Sequence, residues 1–473
     1  MSADDFSDAI IVVGAGLSGG SCALTILEAG KRVILVEKEK KLGGNSVRAS
    51  SGINASETHH QKDQNVPDTN ELFAHDTAYS STKDINAKPT PLIQTLVVNS
   101  ADGVRWLENH GLSLPVLSQC GGHSAARTHR PTSGAAGGYI TLGLLRHVKK
   151  YAKQGKCKII KTAKMTSLIK EGGRVVGLRY TNTKTGATNQ SVRGQGVVMA
   201  TGGFCYNIDM LKQYSPINAG LSTTNGHWAN GEGMLVARDI GAKLVDMACV
   251  QVHPTGFIDP KEPKAREKTL AAECLRAAGA LLINQEGHRF VNELGHRDDV
   301  TSAEKGQKGK IRLVLNPIAV AEVEPHVRMY TNFFKVLKPY KDSYALAKDM
   351  GISVDALKDT FDTYNEAARK GWCPSGKPRF PGTPYRIDQE LRVGFVEPVL
   401  HYVMGGISIN PAAEALDNND RVIPGLFACG ETAGGVHGRN RLAGNSLVEC
   451  VVYGRVAGNS CIKMLNQGRR SKL

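Results

Sequence analysis

A short, wholly apolar run at residues 9–13 (AIIVV) stops at a glycine, the pattern of a strand buried in a parallel sheet. The turn GAGLSG follows, with Gly14, Gly16 and Gly19 at dinucleotide-fold spacing. Next comes an apolar helical stretch through Cys22, Ile26 and Leu27, which Gly30 ends. A second apolar run at 32–36 closes on Glu37, twenty-three residues after Gly14. Each part has a physical role. Gly14 permits the tight turn, Gly16 lets the backbone approach a pyrophosphate, and Gly19 lets helix and strand pack closely. The helix N-terminus faces the phosphates, and Glu37 accepts hydrogen bonds from a ribose.

Beyond Glu37 the loop KEKKLGGNSVRASSGIN is rich in small residues (Gly43, Gly44, Ser46, Ser50, Ser51, Gly52) that permit close approach to a ligand. Residues 56–90 are polar and read as an exposed excursion carrying short helices. Spacing at Ile93, Leu96, Val97 and Trp106 predicts a helix over 92–107. Residues 121–138, glycine-rich with two His and two Arg, read as a second ligand-facing loop, and 142–152 as an amphipathic helix. Residues 158–200 give short strands, the last running into Ala200-Thr201-Gly202-Gly203. The texture then changes: 253–401 carries more charge, proline and helical pattern, and 405–466 returns to strand, glycine and a closing helix. No internal repeat or low-complexity tract interrupts the chain. The expectation is an α/β protein: a Rossmann-like domain from residues 1–250 and 402–466, interrupted by an α+β capping domain at 251–401 and followed by a basic tail at 467–473.

Length and composition narrow the class. The 473 residues suffice for two or three domains, and 41% hydrophobic with 22% charged residues is ordinary for a soluble globular chain. No apolar run reaches the ~20 residues of a membrane span, and the acidic start MSADDFSDA is not a secretory signal. The ten scattered cysteines contain no CxxC, which points to a reducing compartment without disulfides, iron–sulfur cluster or metal site. The net charge of +15 comes without clustered basic and aromatic residues, so nucleic acid is not expected; it favours an anionic ligand. The final SKL reads as a peroxisomal address, taken up by an import receptor in a peroxisome or glycosome; the alternative is a basic tail on a cytosolic protein.

Several motifs resemble one family in order and over residues 10–465: GGNSVRASSGIN, GGHSAARTHR, VVMATGG, HPT at 253–255, AECLRAAGALLINQEGHRFVNELGHRD, HYVMGGI and LFACGETAGGVHGRNRLAGNSL. They resemble the soluble fumarate reductase flavoproteins, a group that also includes succinate dehydrogenase flavoproteins, L-aspartate oxidase and ketosteroid dehydrogenases. The resemblance implies FAD contacts from Gly14, Gly16, Gly19, Glu37, Lys38, Gly44, Asn45, Ser51, Gly52, Gly202, Glu431, Ser446 and Leu447. Asn45 stands where membrane-bound relatives carry the histidine that bonds covalently to flavin, so FAD is expected to bind non-covalently.

For catalysis the resemblance implies hydride transfer from reduced flavin N5 to one alkene carbon of fumarate and a proton to the other. Hydride addition pushes charge onto the conjugated carboxylate, so cationic donors aimed there are the main stabilising device. Arg441 can clamp a carboxylate bidentately. His253 and His401 resemble the carboxylate-binding histidines, although a lone histidine is more often a satisfied structural residue. Arg297 resembles the proton donor, with Glu273 and Arg276 as the relay that recharges it; elsewhere an i,i+3 pair of this kind is an ordinary surface contact, but the run around it is apolar. Family members often have threonine before the relay acid where this chain has Ala272. Arg127, His129 and Arg130 either lie near the flavin or satisfy local backbone.

The expected activity is therefore fumarate reduction on a small dicarboxylate. Rivals are an FAD enzyme of another alkene substrate, such as a succinate dehydrogenase-like or ketosteroid-type enzyme, and a non-catalytic flavin-binding protein. These 473 residues hold no CxxCH and no second GxGxxG, which leaves reduced flavin or a partner reductase as electron donor.

Overall fold

A computed structural model describes residues 6–470. The tripeptide 471–473, on which the targeting expectation rests, lies outside the described residues. Its centre is a six-stranded sheet in the order Glu414–Leu416, Val422–Ala428, Gly196–Met199, Ile10–Val13, Val33–Val36 and Cys157–Ile160. Every pair is parallel except the edge pair Glu414–Leu416 with Val422–Ala428. The residues of Ile10–Val13, Val33–Val36 and Gly196–Met199 are all buried, which is why they read as continuous apolar runs rather than alternating ones.

Helices Leu17–Glu28, Ala136–Lys153 and Asn445–Arg470 cover one face, and an antiparallel sheet of Ala163–Glu171, Arg174–Asn182 and Gln190–Arg193 packs on the other. The closing helix lies hard against the first because Gly454 and Gly458 present no side chain; a Cβ on either would meet Ser18, Ser21, Cys22 or Thr25. This brings the C-terminal part of the chain back onto the dinucleotide turn. A second, antiparallel sheet is built from residues 250–403, with Leu391–Val403 as its long central strand between Val250–Phe257 and Ile311–Leu315. Helices Glu273–Ala277, Arg297–Lys305 and Val354–Lys370 lie beside it over two separate apolar cores. No helix among the described residues is long and apolar enough to cross a membrane, and all ten cysteines are free thiols.

Several elements differ from their sequence reading for local reasons. Residues 92–107 form two helices, Pro91–Val98 and Ser100–Asn109, because the Asn99 side chain donates back to the Thr95 carbonyl at 2.8 Å and caps the first. The helix expected at 142–152 begins at Ala136, inside the glycine-rich stretch. Gly137 is helical there because a Cβ would run into the carbonyls of Ser46 and Ala49. The apparent strand before Ala200 is two strands in different sheets, Gln190–Arg193 and Gly196–Met199.

Beside the second sheet one buried charge cluster ties two loops together. The Glu293 carboxylate accepts from Arg289 Nε and Nη2 and from Lys377 Nζ, each at 2.8 Å. Burial alone would raise its pKa; Lys377 and Arg289 outweigh that and hold it at about 2. The folded value lies below the ordinary 4.5, so this stabilisation is present above pH 4.5 and is lost as the pH falls toward 2. Glu293→Gln is expected to cost about 3 kcal/mol near neutral pH, because two cations lose their partner. Thermal unfolding of parent and variant from pH 7 downward should show the gap closing with acidification.

Candidate active site

The dinucleotide turn opens into a cavity of about 1010 Å³. Gly16 caps the first helix without a side-chain hydrogen bond, and the Leu17 amide donates instead to Ser46 Oγ at 3.1 Å; the helix N-terminus faces the cavity, an anion-binding arrangement. Glu37, at the end of its strand, accepts from the amides of Ala15 and Glu39 at 2.9 Å each, and burial raises its pKa. Gly14, Gly16, Glu37, Lys38, Gly44 and Asn45 line this end, and Gly202, Glu431, Ser446 and Leu447 line it further in. Lys38 is already paired with Glu232 at 2.6 Å. Burial pushes the Glu431 carboxyl up to about 8 while it accepts from the Val403 amide at 3.0 Å.

Three other residues expected to touch the cofactor stand one layer behind the cavity wall. Gly19 lies against Gly14, whose carbonyl oxygen a Cβ would strike. Gly52 adopts φ +141° beside the His129 carbonyl, where a side chain has no room. Ser51 turns away and accepts the Glu273 amide at 3.0 Å. Arg127, His129 and Arg130 prove structural. Arg127 is wholly buried between Asp68 and Asp76, His129 is held by Thr58 and the Arg127 carbonyl, and Arg130 donates to Ser118.

Asn45 links the two ends of the cavity. Its Oδ1 accepts from Gly226 N at 3.0 Å and Trp228 Nε1 at 2.9 Å, and its Nδ2 donates to Asn225. Asn225 in turn donates to the His401 carbonyl at 2.9 Å.

Behind that inner end, in residues that do not themselves line the cavity, the chain gathers charge of a kind rarely buried. Glu273 and Arg276, on the short helix Glu273–Ala277, are buried and ion-paired. The other carboxylate oxygen of Glu273 accepts from Arg297 Nε and from His253 Nε2, both at 3.2 Å. Burial opposes its ionisation, but Arg276 and Arg297 win and hold its pKa well below the usual range. Arg276 also donates from Nη1 to the Glu293 carbonyl at 2.6 Å, which couples it to the cluster described above.

Arg297 begins the helix Arg297–Lys305 and donates from Nη1 to Gln251 Oε1 at 2.8 Å. The same oxygen accepts from Arg441 Nη2 at 3.0 Å. Gln251 cannot turn this oxygen away, because its Nε2 is spent on Asn440 Oδ1 and the Arg441 carbonyl, each at 2.7 Å. Two guanidiniums are thus held on one neutral acceptor. Burial first, and then Arg441 and Arg276, bring the Arg297 pKa down to about 9 against the opposing pull of Glu273. Arg297 Nη2 has no hydrogen-bond partner among the described residues, and neither has Arg441 Nε.

The two histidines are arranged differently. His253 Nδ1 accepts the Thr255 amide at 3.1 Å, so its proton sits on Nε2 and is donated to Glu273. Both its nitrogens are spent inside the protein. His401, 5.1 Å away between ring centroids, holds Thr224 Oγ1 at 2.7 Å through Nδ1 and lines the cavity. Burial, and then Arg297, keep both imidazoles neutral at pH 7, with His253 at about 3. Arg441 lies over the Tyr402 ring at 4.4 Å. The Tyr402 hydroxyl donates to Glu449, which also takes His437 Nε2 at 3.1 Å.

Gln251, Asn225, Trp228 and the Tyr402–Glu449 pair escaped the sequence reading. Gln251 had a signal: it stands two residues before His253 on one strand, and both fall on its buried side. The others sit in no pattern. Outside the cavity, His59, His60 and Glu108 form the one metal-ligand type cluster among the described residues, with Glu108 already bound by His60 at 2.6 Å.

Residues 9–447 match the family model described as FAD binding domain. The chain is 42% identical to the fumarate reductase of Schizosaccharomyces pombe over 95% of its own length and 88% of that protein's. It is 36% identical to fumarate reductase 1 of Saccharomyces cerevisiae, covering 95% of this chain and 98% of that one. Its fold is similar, at a TM-score of 0.74 and 33% identity, to the open conformation of a flavocytochrome c3 fumarate reductase, over 97% of this chain and 78% of that one.

The contact of Gly19 with Gly14 gives a direct test of the cradle. Gly19→Ala is expected to force the first helix off the turn and abolish FAD retention in the purified protein, read as lost flavin absorbance. Gly30→Ala, where a Cβ meets open space, should keep the flavin despite the strained φ of +72°.

Proposed function

The chain belongs to the FAD-binding flavoprotein family of these fumarate reductases, and from that premise we propose that it reduces fumarate to succinate. It is an FAD-dependent oxidoreductase acting on a CH–CH bond. The observation that carries the reading is the buried group of Arg276, Arg297 and Arg441, in which Glu273 is the one ion-paired carboxylate among the described residues, behind the His401 end of the cavity. A surplus of positive charge in a low-dielectric site suits a dianionic substrate. The cofactor's place fits FAD: a helix N-terminus behind a glycine turn for the pyrophosphate, Glu37 for a ribose, and a cavity long enough to reach His401. FAD, when reduced, supplies the hydride from its N5.

The chain's own residues supply the rest. Residues 1–250 and 402–466 hold FAD, and residues 251–401 cap the substrate end. Arg441 offers one carboxylate its unpartnered Nε–H together with the second hydrogen of Nη2, a bidentate geometry. His401 offers Nε2. His253, with both nitrogens engaged, orients Glu273 rather than touching substrate. As charge develops on the alkene carbon opposite the hydride, Arg297 gives it a proton from Nη2. A guanidinium does this readily only when its pKa is depressed, as burial and Arg441 depress it here. Glu273 then passes a proton from Arg276 to Arg297. Asn45 offers no ring nitrogen to the flavin, so attachment is non-covalent and acid denaturation should release all FAD into solution.

The test is anaerobic. With the bound flavin reduced by dithionite, fumarate should restore the oxidised spectrum. Arg297→Ala should slow this by about 10²- to 10⁴-fold with FAD still bound. In the parent the rate should fall as the pH rises through about 9, because the donor must hold its proton. If fumarate leaves the flavin reduced while another unsaturated acid or a ketosteroid oxidises it, the substrate assignment fails and the oxidoreductase fold stands.

A further inference from the structure

Outside the cavity, the polar segment 56–68 meets the helix Ser100–Asn109 through three side chains of metal-ligand type. His59 and His60 open the short helix His59–Asp63, and Glu108 stands in the last turn of the longer one. The two imidazoles lie with ring centroids 3.9 Å apart. His60 donates from Nε2 to Glu108 Oε1 at 2.6 Å, and His59 Nε2 stands 3.8 Å from the other carboxylate oxygen. All three donor atoms fall within 4.8 Å of one another. Donors sharing one ion at the usual ~2.0–2.2 Å would stand about 3 to 3.5 Å apart. The two measured separations bracket that span.

A hydrogen-bonded pair would need only one imidazole. Here the second ring faces the same carboxylate from the solvent side: His59 is 55% exposed, against 14% for His60 and 18% for Glu108. The backbone beneath the ligands is fixed. Thr58 and Gln61 form a capping box, and Gln61 Nε2 donates on to Asp68 at 2.8 Å and to the Ala126 carbonyl at 3.1 Å. Asp68 is itself paired with buried Arg127. His129, behind His60, has both nitrogens engaged by Thr58 and the Arg127 carbonyl, so it does not compete for an ion. On the other side, Trp106 and His110 flank Glu108 in the chain, and both donate to Glu28. Ligands held in this way lose little freedom on binding.

We propose that His59, His60 and Glu108 hold a divalent transition-metal ion, with water completing its coordination. Two imidazoles and a carboxylate form a borderline donor set that suits zinc rather than the all-oxygen set calcium takes. On binding, the ion displaces the Nε2 proton that His60 gives Glu108, and this proton leaves to solvent. The bound ion cross-links the segment 56–68 to the helix Ser100–Asn109. The site uses no cysteine, and His60 and Glu108 are 48 residues apart in the chain, so no local spacing announces it. None of its residues lines the cavity, and it goes beyond the fumarate reductase reading.

The test uses the FAD-loaded protein, treated with a chelator and then dialysed against Zn²⁺ alone. The parent should retain about one equivalent, and its unfolding temperature should rise with Zn²⁺ concentration. Co²⁺ in place of Zn²⁺ should give visible d–d bands without the thiolate charge-transfer band that the free cysteines would produce. His60→Ala and Glu108→Gln should abolish retention. His59→Ala, the most exposed change and the least able to disturb the fold, should weaken affinity by about tenfold or more, since losing even an outer partner of a metal ligand costs about 10- to 100-fold. Flavin absorbance kept by all three variants shows that they have folded. No Zn²⁺ retained by the parent, equal affinity in the parent and His59→Ala, or a thiolate band that the variants keep would each overturn the proposal. Failure of fumarate to reoxidise the flavin would leave the metal titration untouched, so the two readings fail separately.

Discussion

The buried surplus of positive charge is the constraint on which the active-site end depends. Arg276, Arg297 and Arg441 lie inside the protein, and Glu273 is the one carboxylate ion-paired with any of them among the described residues. Isolated, each would cost several kcal/mol to bury. The protein offsets this with directed acceptors: the Gln251 amide oxygen shared by two guanidiniums, the Glu293 carbonyl, and the Tyr402 ring. Burial first, and then Arg441, lower the affinity of Arg297 for its own proton.

Holding such charges in place demands rigid supports on several sides. His253 and Gln251 come from one strand of the second sheet, and His401 from its central strand. Glu273 and Arg297 begin two separate helices, and Arg441 precedes the closing helix. Asn45 and Asn225 bind the nucleotide loop to the His401 backbone. The loop after the dinucleotide turn and the central strand of the second sheet thus meet in hydrogen bonds. The Glu293 cluster, although outside the cavity, sets the position of Arg276 from behind through its carbonyl.

Much of this was legible from residues alone. The runs 9–13 and 32–36, the GAGLSG turn and Glu37 announced the parallel sheet and the nucleotide cradle, because burial on both faces and a phosphate-facing turn each leave a local pattern. The glycine-rich stretch 121–138 misled, since a glycine chosen for close helix packing looks like one chosen for a flexible loop: Gly137 is helical. Arg127 and His129 look like ligand residues in the sequence and are scaffold in the fold, because Asp68 and Asp76, which claim Arg127, stand about 50 to 60 residues away.

The sequence by itself determined the cofactor fold and its glycine turn, since these are set by short-range spacing and residue type; it pointed to Arg297, Glu273, Arg276, His253, His401 and Arg441 only through a family resemblance. Only the tertiary structure decided how those residues divide the work. It turned Ser51 and Gly52 away from the cavity, committed both nitrogens of His253 while leaving His401 facing it, and made Gln251 the common acceptor. Hydrogen-bond direction, charge and proton affinity depend on burial and on neighbours that arrive from distant parts of the chain. Those neighbours meet only when two sheets close on one another.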